Sequence, residues 1–163
     1  MTALRVGQGF DVHRFAAPED GRPLMLMGCA IPHDRGLAGH SDADVMLHAL
    51  MDALLGAAGL GDIGQHFPDT DAAFKGADSA RLLERVMVDL RTRGWQVVNA
   101  DVCLVGERPK VGPYRQLMRD RIAPLLGLDP EALNVKATTT EKLGFTGRGE
   151  GLAAQAVVLL QRV

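Results

Sequence analysis

The chain has 163 residues, 47% of them hydrophobic and 23% charged, with a formal net charge of −2. That length predicts a single domain over 1–163, able to bury an ordinary core. Near-neutral charge without a basic block argues against a nucleic-acid or anionic-membrane partner and for a small-molecule substrate.

The opening MTALRVGQGF lacks a charged region followed by a long apolar run, and no segment approaches the roughly 18 apolar residues of a membrane span, so a cytoplasmic location is expected. Residues 3–15 read as a strand. The turn-rich APEDGR joins it to a second strand at 23–31, PLMLMGCAI. A loop rich in Gly, His and Asp leads into DADVMLHALMDALLGAAGL, apolar at 45, 46, 49, 50, 53, 54 and 57. This predicts a helix over 42–58, buried on several sides, with Asp44, His48 and Asp52 as its one polar stripe. GDIGQHFPDTDAAFKGAD reads as loop, after which Asp78 or Ser79 caps a helix over 79–93 that stops at Gly94. WQVVNADVCLV (95–105) is a strand, GPYRQLMRDRIAPLLGL mostly helix, and DPEAL a short helical turn. NVKATTTE is a strand running into the loop KLGFTGRGEG, and LAAQAVVLLQRV closes the chain as a strand. Helices and strands interleave without regular alternation, which predicts an α+β fold: a single mixed β-sheet of four to five strands with helices packed on one face. Cys29 and Cys103 form no CxxC pair and read as buried, reduced thiols.

The segment GFDVHRF carries the first chemical signal. Asp11 and His13 lie two apart on a strand, so both project from one face, roughly 6.5 to 7 Å apart at Cα. His48 supplies a third donor from the helix, and Asp, His, His with a fourth position open is the arrangement of a catalytic zinc. A core histidine bonded to a carbonyl has the same spacing, which alone does not choose between the two. Asp44 and Asp52, one turn either side of His48, are either ring-orienting partners or helix-surface charges. GHSD places His40 and Ser41 just ahead of that helix, where free N–H groups attract anions; Ser41 or Asp42 as a simple cap is the alternative. In KATTTEKLGFTGRGEG, Thr138, Thr139, Thr140, Glu141 and Arg148 supply hydroxyls, a hard oxygen ligand and a guanidinium suited to phosphates and a magnesium-type cation. A threonine-rich edge strand with a glycine loop would look the same. GERPKVGP adds Lys110 in a proline-bounded loop of the kind that reads a nucleotide.

Together, GFDVHRF, GHSDADVMLHALMDALLGAAGLGDIG, HFPDTD, the Pro109–Lys110 pair and VKATTTEKLGFTGRGEG resemble the 2-C-methyl-D-erythritol 2,4-cyclodiphosphate synthase family of the non-mevalonate isoprenoid pathway. The resemblance covers the whole chain. It implies conversion of 4-diphosphocytidyl-2-C-methyl-D-erythritol 2-phosphate to the cyclic diphosphate, with release of CMP. By match to the motifs, Asp11, His13 and His48 look like zinc ligands, and Glu141 like the residue that helps hold a second divalent cation, magnesium or manganese. His40 and Thr139 match transition-state stabilisers. Asp11, Val12 and His13 match substrate contacts, Ser41 with His40 a contact to the 2-phosphate, and Asp62, Ile63 and Gly64 contacts to the methylerythritol hydroxyls. Phe67, Pro68, Asp69, Thr70 and Asp71 match the lining of the substrate site. Gly106, Glu107, Arg108, Pro109, Lys110, Val111 and Gly112 match the cytosine and ribose loop, and Thr138, Thr139, Thr140 and Glu141 the diphosphate contacts. Phe145 and Arg148 match further substrate contacts. The family resemblance also implies a homotrimer with active sites between subunits and an axial apolar cavity, near Phe10 and Arg148, that holds an isoprenoid diphosphate. Gln155 departs from the glutamate that some members place there. Two rival readings are a metal-dependent hydrolase of nucleoside diphosphate esters and a non-catalytic trimer that binds isoprenoid diphosphate.

If Asp11 and His13 bind one ion, inserting a residue between them turns one side chain to the opposite face. The insertion is expected to abolish zinc binding, whereas Val12→Thr retains it, as read by elemental analysis of both proteins after circular dichroism confirms folding.

Overall fold

The computed structural model describes residues 3–163, so positions 1 and 2 of the expected domain lie outside the described residues. In chain order the elements are β1 (Leu4–Arg14), the short strands β2 (Leu24–Leu26) and β3 (Cys29–Ile31), α1 (Val45–Ala58) and the single turn α2 (Ile63–His66). They continue with α3 (Ser79–Thr92), β4 (Trp95–Val105), α4 (Arg115–Leu126), β5 (Leu133–Thr138), the turn α5 (Gly144–Gly147) and β6 (Gly151–Arg162). Four strands make one sheet in the order β1-β6-β4-β5, with β4 and β5 parallel and the other pairs antiparallel. The expected mixed sheet is thus present with four strands. α1 crosses β1, β6 and β4, while α3 and α4 pack beside it over β4 and β5. Among the described residues, no helix is long and apolar enough to cross a membrane.

β1 shows how the sheet and its helices meet. Its inner face carries Gly7 and Gly9, then Asp11 and His13, while Leu4, Val6, Phe10 and Val12 are exposed on the outer face. A Cβ added at Gly9 would overlap the carbonyl oxygen of Ala49, and one at Gly7 that of Ala53. Ala49, Ala53 and Ala57 form a stripe at helical spacing against these glycines, so the α1 backbone rests almost directly on the strand.

Five expectations need correction. The segment 23–31 is a hairpin in a separate two-stranded sheet, because Met27 and Gly28, at φ 51° and 71°, form a two-residue turn after β2. The helix expected from 42 begins at Val45, with Asp44 as its cap. Asp44 is neither a surface charge nor a partner of the His48 ring. Fully buried, it accepts hydrogen bonds from the N–H groups of Met27 (3.1 Å), Gly28 (2.7 Å) and Leu47 (3.0 Å), joining the hairpin tip to the helix. Burial pushes its carboxyl up to about 7, against the pull of the Gly28 and Leu47 N–H groups. The expected loops at 61–78 and 142–151 contain the single turns α2 and α5. Cys29 is buried, but Cys103 is half-exposed on the outer face of β4; both thiols are free.

Gly9→Ala is expected to destabilise the protein by about 1–3 kcal/mol or more, because neither backbone can retreat cheaply. Gly56→Ala lies on α1, with its nearest neighbour, the Gln8 carbonyl oxygen, 3.9 Å from the new Cβ. It should raise stability by up to about 1 kcal/mol through helix propensity. Urea titration of both variants checks the pair.

Candidate metal centre and substrate cavities

Asp11, His13 and His48 converge. His13 Nε2 lies 3.0 Å and His48 Nδ1 3.1 Å from Asp11 Oδ2, and the two ring nitrogens are 3.1 Å apart. Among the described residues this is the one group of three or more His, Cys, Asp and Glu side chains arranged to share an ion. Around a tetrahedral zinc with bonds of about 2.0 Å, neighbouring ligand atoms sit about 3.3 Å apart. The observed triangle is close to one face of that tetrahedron.

The rings are also turned correctly. His13 Nδ1 lies 2.8 Å from the Ala38 carbonyl, an acceptor only, so it carries the proton and Nε2 faces Asp11 with a lone pair. His48 Nε2 points away from the triangle, toward the hydroxyls of Ser41 (3.2 Å) and Ser79 (3.0 Å). A carboxylate and two imidazole nitrogens therefore share one small space that a cation would satisfy. Burial raises the Asp11 carboxyl, but hydrogen bonds and charge from His13 and His48 overcome it and hold the group down at about 2. Burial likewise lowers His13, yet the contact with Asp11 leaves it raised.

A cavity of about 550 Å³ opens over this triangle. His40, Ser41, Ile63, Gly64, Phe67, Pro68, Asp69 and Thr70 line it with the triad, so most of the expected phosphate and methylerythritol contacts are gathered here. Asp62 and Asp71 cap short turns at its edge, accepting from Gln65 N–H and Ala73 N–H; the Asp71 carbonyl also accepts from His40 Nε2 at 3.0 Å. Asp52 accepts a hydrogen bond from the Ile63 N–H (2.8 Å) and so ties α1 to this loop; it does not orient His48. Arg22 donates to the carbonyls of Gly39 (2.9 Å) and Ser41 (2.5 Å), on either side of His40. Arg22, Met51, Phe74, Ser79 and Leu82 belong to this region without having been singled out by the motifs, since each looks like an ordinary surface, cap or core residue.

A second cavity, of about 410 Å³, holds Gly106, Pro109, Lys110, Val111 and Gly112 together with Thr138 and Thr139. It shares no lining residue with the first. Glu107, Arg108 and Arg148 line a third cavity instead, beside Phe15, His33 and Arg35. Glu107 turns away from the rest of the 106–112 loop to accept from the Lys142 N–H (2.6 Å). Glu141 and Lys142 both have positive φ, 54° and 63°, an uncommon conformation for residues other than glycine. Glu141 lies near Thr139 Oγ1 (3.4 Å), apart from the metal triangle. Thr140 bonds Thr146 (2.8 Å), Phe145 is exposed, and Arg148 pairs with Glu150 (2.8 Å). Val12 points to the outer face of the sheet, so its side chain does not reach the cavity.

The model of the YgbB family matches residues 4–161. The chain belongs to the YgbB family. It is 60% identical over 159 residues to the 2-C-methyl-D-erythritol 2,4-cyclodiphosphate synthase of Geobacillus kaustophilus, covering 98% of this chain and 99% of that protein. The enzyme of the same name from Lysinibacillus sphaericus is 58% identical over the same shares. Among solved structures, the bifunctional IspDF of Campylobacter jejuni aligns with TM-score 0.94 and 47% identity over the whole chain, which spans 43% of that longer protein. The Plasmodium falciparum IspF–CDP complex aligns with TM-score 0.85 and 29% identity, over 98% of this chain and 97% of that one.

His48→Ala removes one corner of the donor triangle and leaves a small residue on a buried helix. Its zinc content is expected to fall close to zero while circular dichroism stays near that of the parent protein; full zinc content would exclude His48 as a ligand.

Proposed function

We propose that this chain is a 2-C-methyl-D-erythritol 2,4-cyclodiphosphate synthase. The observation that carries the reading is the Asp11, His13, His48 triangle beneath a cavity lined by His40, Ser41 and the 63–70 loop, in a chain 58–60% identical to enzymes of that name. In the reaction an oxygen of the substrate's 2-phosphate attacks the β-phosphorus, the bond to the α-phosphate oxygen breaks, and CMP leaves with that electron pair.

Asp11, His13 and His48 would hold zinc, and Glu141 a magnesium or manganese ion. Bound there, the cations supply Lewis-acid polarisation and charge neutralisation at the phosphate oxygens. The side chains themselves do little covalent work; they position the reacting groups. His40 and Thr139 donate to phosphate oxygens as negative charge shifts during the displacement, and the Ser41 hydroxyl holds the 2-phosphate. Ile63, Gly64 and the 67–70 segment enclose the methylerythritol, while the 106–112 loop reads cytosine and ribose.

In this reading, residues 1–163 form a single synthase domain that works as a cytoplasmic homotrimer. Two features support the assembly: the metal and nucleotide cavities have no lining residue in common, and Leu4, Val6, Phe10, Val12 and Val157 leave an apolar sheet face uncovered. The active site is then completed between neighbouring subunits, and this face surrounds the axial cavity, where Phe10 pairs in register with Gln155. An isoprenoid diphosphate is the proposed axial ligand.

Phosphorus NMR of products from the purified protein tests the reaction: a cyclic diphosphate and CMP are expected, whereas a linear phosphate would establish the hydrolase and no turnover the binding protein. Glu141→Gln should keep the zinc content of the parent, lose activity, and need more magnesium or manganese to recover it, because a neutral amide is a poorer ligand for a hard cation. Loss of zinc from that variant would move Glu141 to the first metal.

A further inference from the structure

The hydrogen bonds behind His48 continue into the protein, away from the substrate cavity. Ser79, fully buried at the start of α3, sits with Oγ 3.0 Å from His48 Nε2. The same hydroxyl lies 2.5 Å from Asp42 Oδ1, and the Ser79 N–H donates to Asp42 Oδ2 at 3.0 Å. Asp42 is itself fixed, accepting from the Asp44 N–H (3.1 Å) and donating its own N–H to the Ala77 carbonyl (3.0 Å).

A carboxylate only accepts hydrogen bonds, so the Ser79 hydroxyl proton is committed to Asp42. The Ser79 oxygen can then only accept from His48, which places the ring proton on Nε2 and the lone pair on Nδ1, facing Asp11 and His13. We propose that Asp42 and Ser79 are positioning residues that lock His48 in its metal-binding tautomer through a carboxylate–hydroxyl–imidazole chain. Histidine ligands are commonly oriented by such an outer partner, whose loss costs about 10–100-fold in metal affinity.

The neighbouring Ser41 has a different task. Its Oγ lies 3.2 Å from His48 Nε2 and accepts from the Ala43 N–H (3.2 Å), but Ser41 lines the cavity whereas Ser79 does not. Because Ser79 accepts the ring proton, the Ser41 hydroxyl proton remains available for a phosphate oxygen. Two serines with nearly equal distances to one nitrogen thus divide between ligand orientation and substrate contact.

The inference rests on Asp11, His13 and His48 as the metal site, and the test separates the two. Zinc affinity is measured on the full-length protein by competition with a chromophoric chelator, and zinc-induced stabilisation as the difference between zinc-loaded and metal-free Tm. Ser79→Ala is expected to bind zinc about 10–100-fold more weakly, with a smaller zinc-induced shift. Asp42→Asn should move the same way, because an amide nitrogen facing Ser79 releases its hydroxyl proton toward His48. Ser41→Ala should bind zinc within about twofold of the parent. If Ser79→Ala lowers both Tm values equally and keeps parental zinc affinity, Ser79 is only a helix-start residue and the chain is overturned. Equal weakening by Ser41→Ala would overturn the division of labour. Parental zinc affinity in His48→Ala would instead reject the metal-site reading itself.

Discussion

The contact on which the site depends is backbone against backbone, where Gly7 and Gly9 of β1 meet Ala49, Ala53 and Ala57 of α1. Two residues of strand advance about 6.8 Å and four of helix about 6.0 Å, so the two surfaces stay nearly in step over several repeats. β1 runs toward higher numbers as α1 runs toward lower ones: Gly7 faces Ala53 and Ala57, and Gly9 faces Ala49 and Ala53. One further strand step brings Asp11 level with the first turns of α1, where His48 lies. Small residues have no rotamers to adjust, so this interface locates His48 without soft degrees of freedom.

Around that rigid contact, one buried and two half-buried acidic side chains anchor each neighbouring segment through main-chain N–H groups. Asp44 binds the hairpin tip, Asp52 the start of α2, and Asp42 the start of α3. Arg22 makes the complementary contact, its guanidinium satisfying the carbonyls of Gly39 and Ser41 beside His40. Polar groups that an isolated helix would leave unpaired are used here to place loops. Loop 39–44 is gripped from several sides, which suits a segment proposed to present His40 and Ser41 to a phosphate.

Asp11 and His13 were legible because a strand has a period of two, and α1 because its apolar residues recur at helical spacing. The stripe of Asp44, His48 and Asp52 singled out the histidine that meets Asp11 and His13 but not the roles of its flanking acids, since periodicity says which residues share a face and nothing about which N–H groups approach them. Ser79 was visible only as a possible cap: its importance lies in a contact 31 residues distant in sequence. The hairpin was hidden because Met27 adopts a left-handed conformation in place of the usual Asn or Asp. Cys103 was misplaced because an apolar-looking strand was assumed to be covered on both faces, whereas β4 has one face bare.

β4 has one residue more than its pairing with β6 requires. The register passes from Val97↔Leu160 directly to Asn99↔Leu159, so Val98 is a bulge. Before it the inward residues are odd-numbered, Trp95 and Val97; after it they are even-numbered, Ala100, Val102 and Leu104. The strand thus changes phase midway, much as a reading frame is restored after a single insertion. Were Val98 paired in regular alternation instead of bulged, the second half would turn Ala100, Val102 and Leu104 outward and bury Asp101 and Cys103. The exit of the chain at Gly106 would rotate with them, redirecting the 106–112 loop and dismantling the second cavity from more than two helical turns' length away. The direction in which that loop leaves the sheet is therefore set by the unpaired conformation of Val98, whose own side chain touches neither cavity.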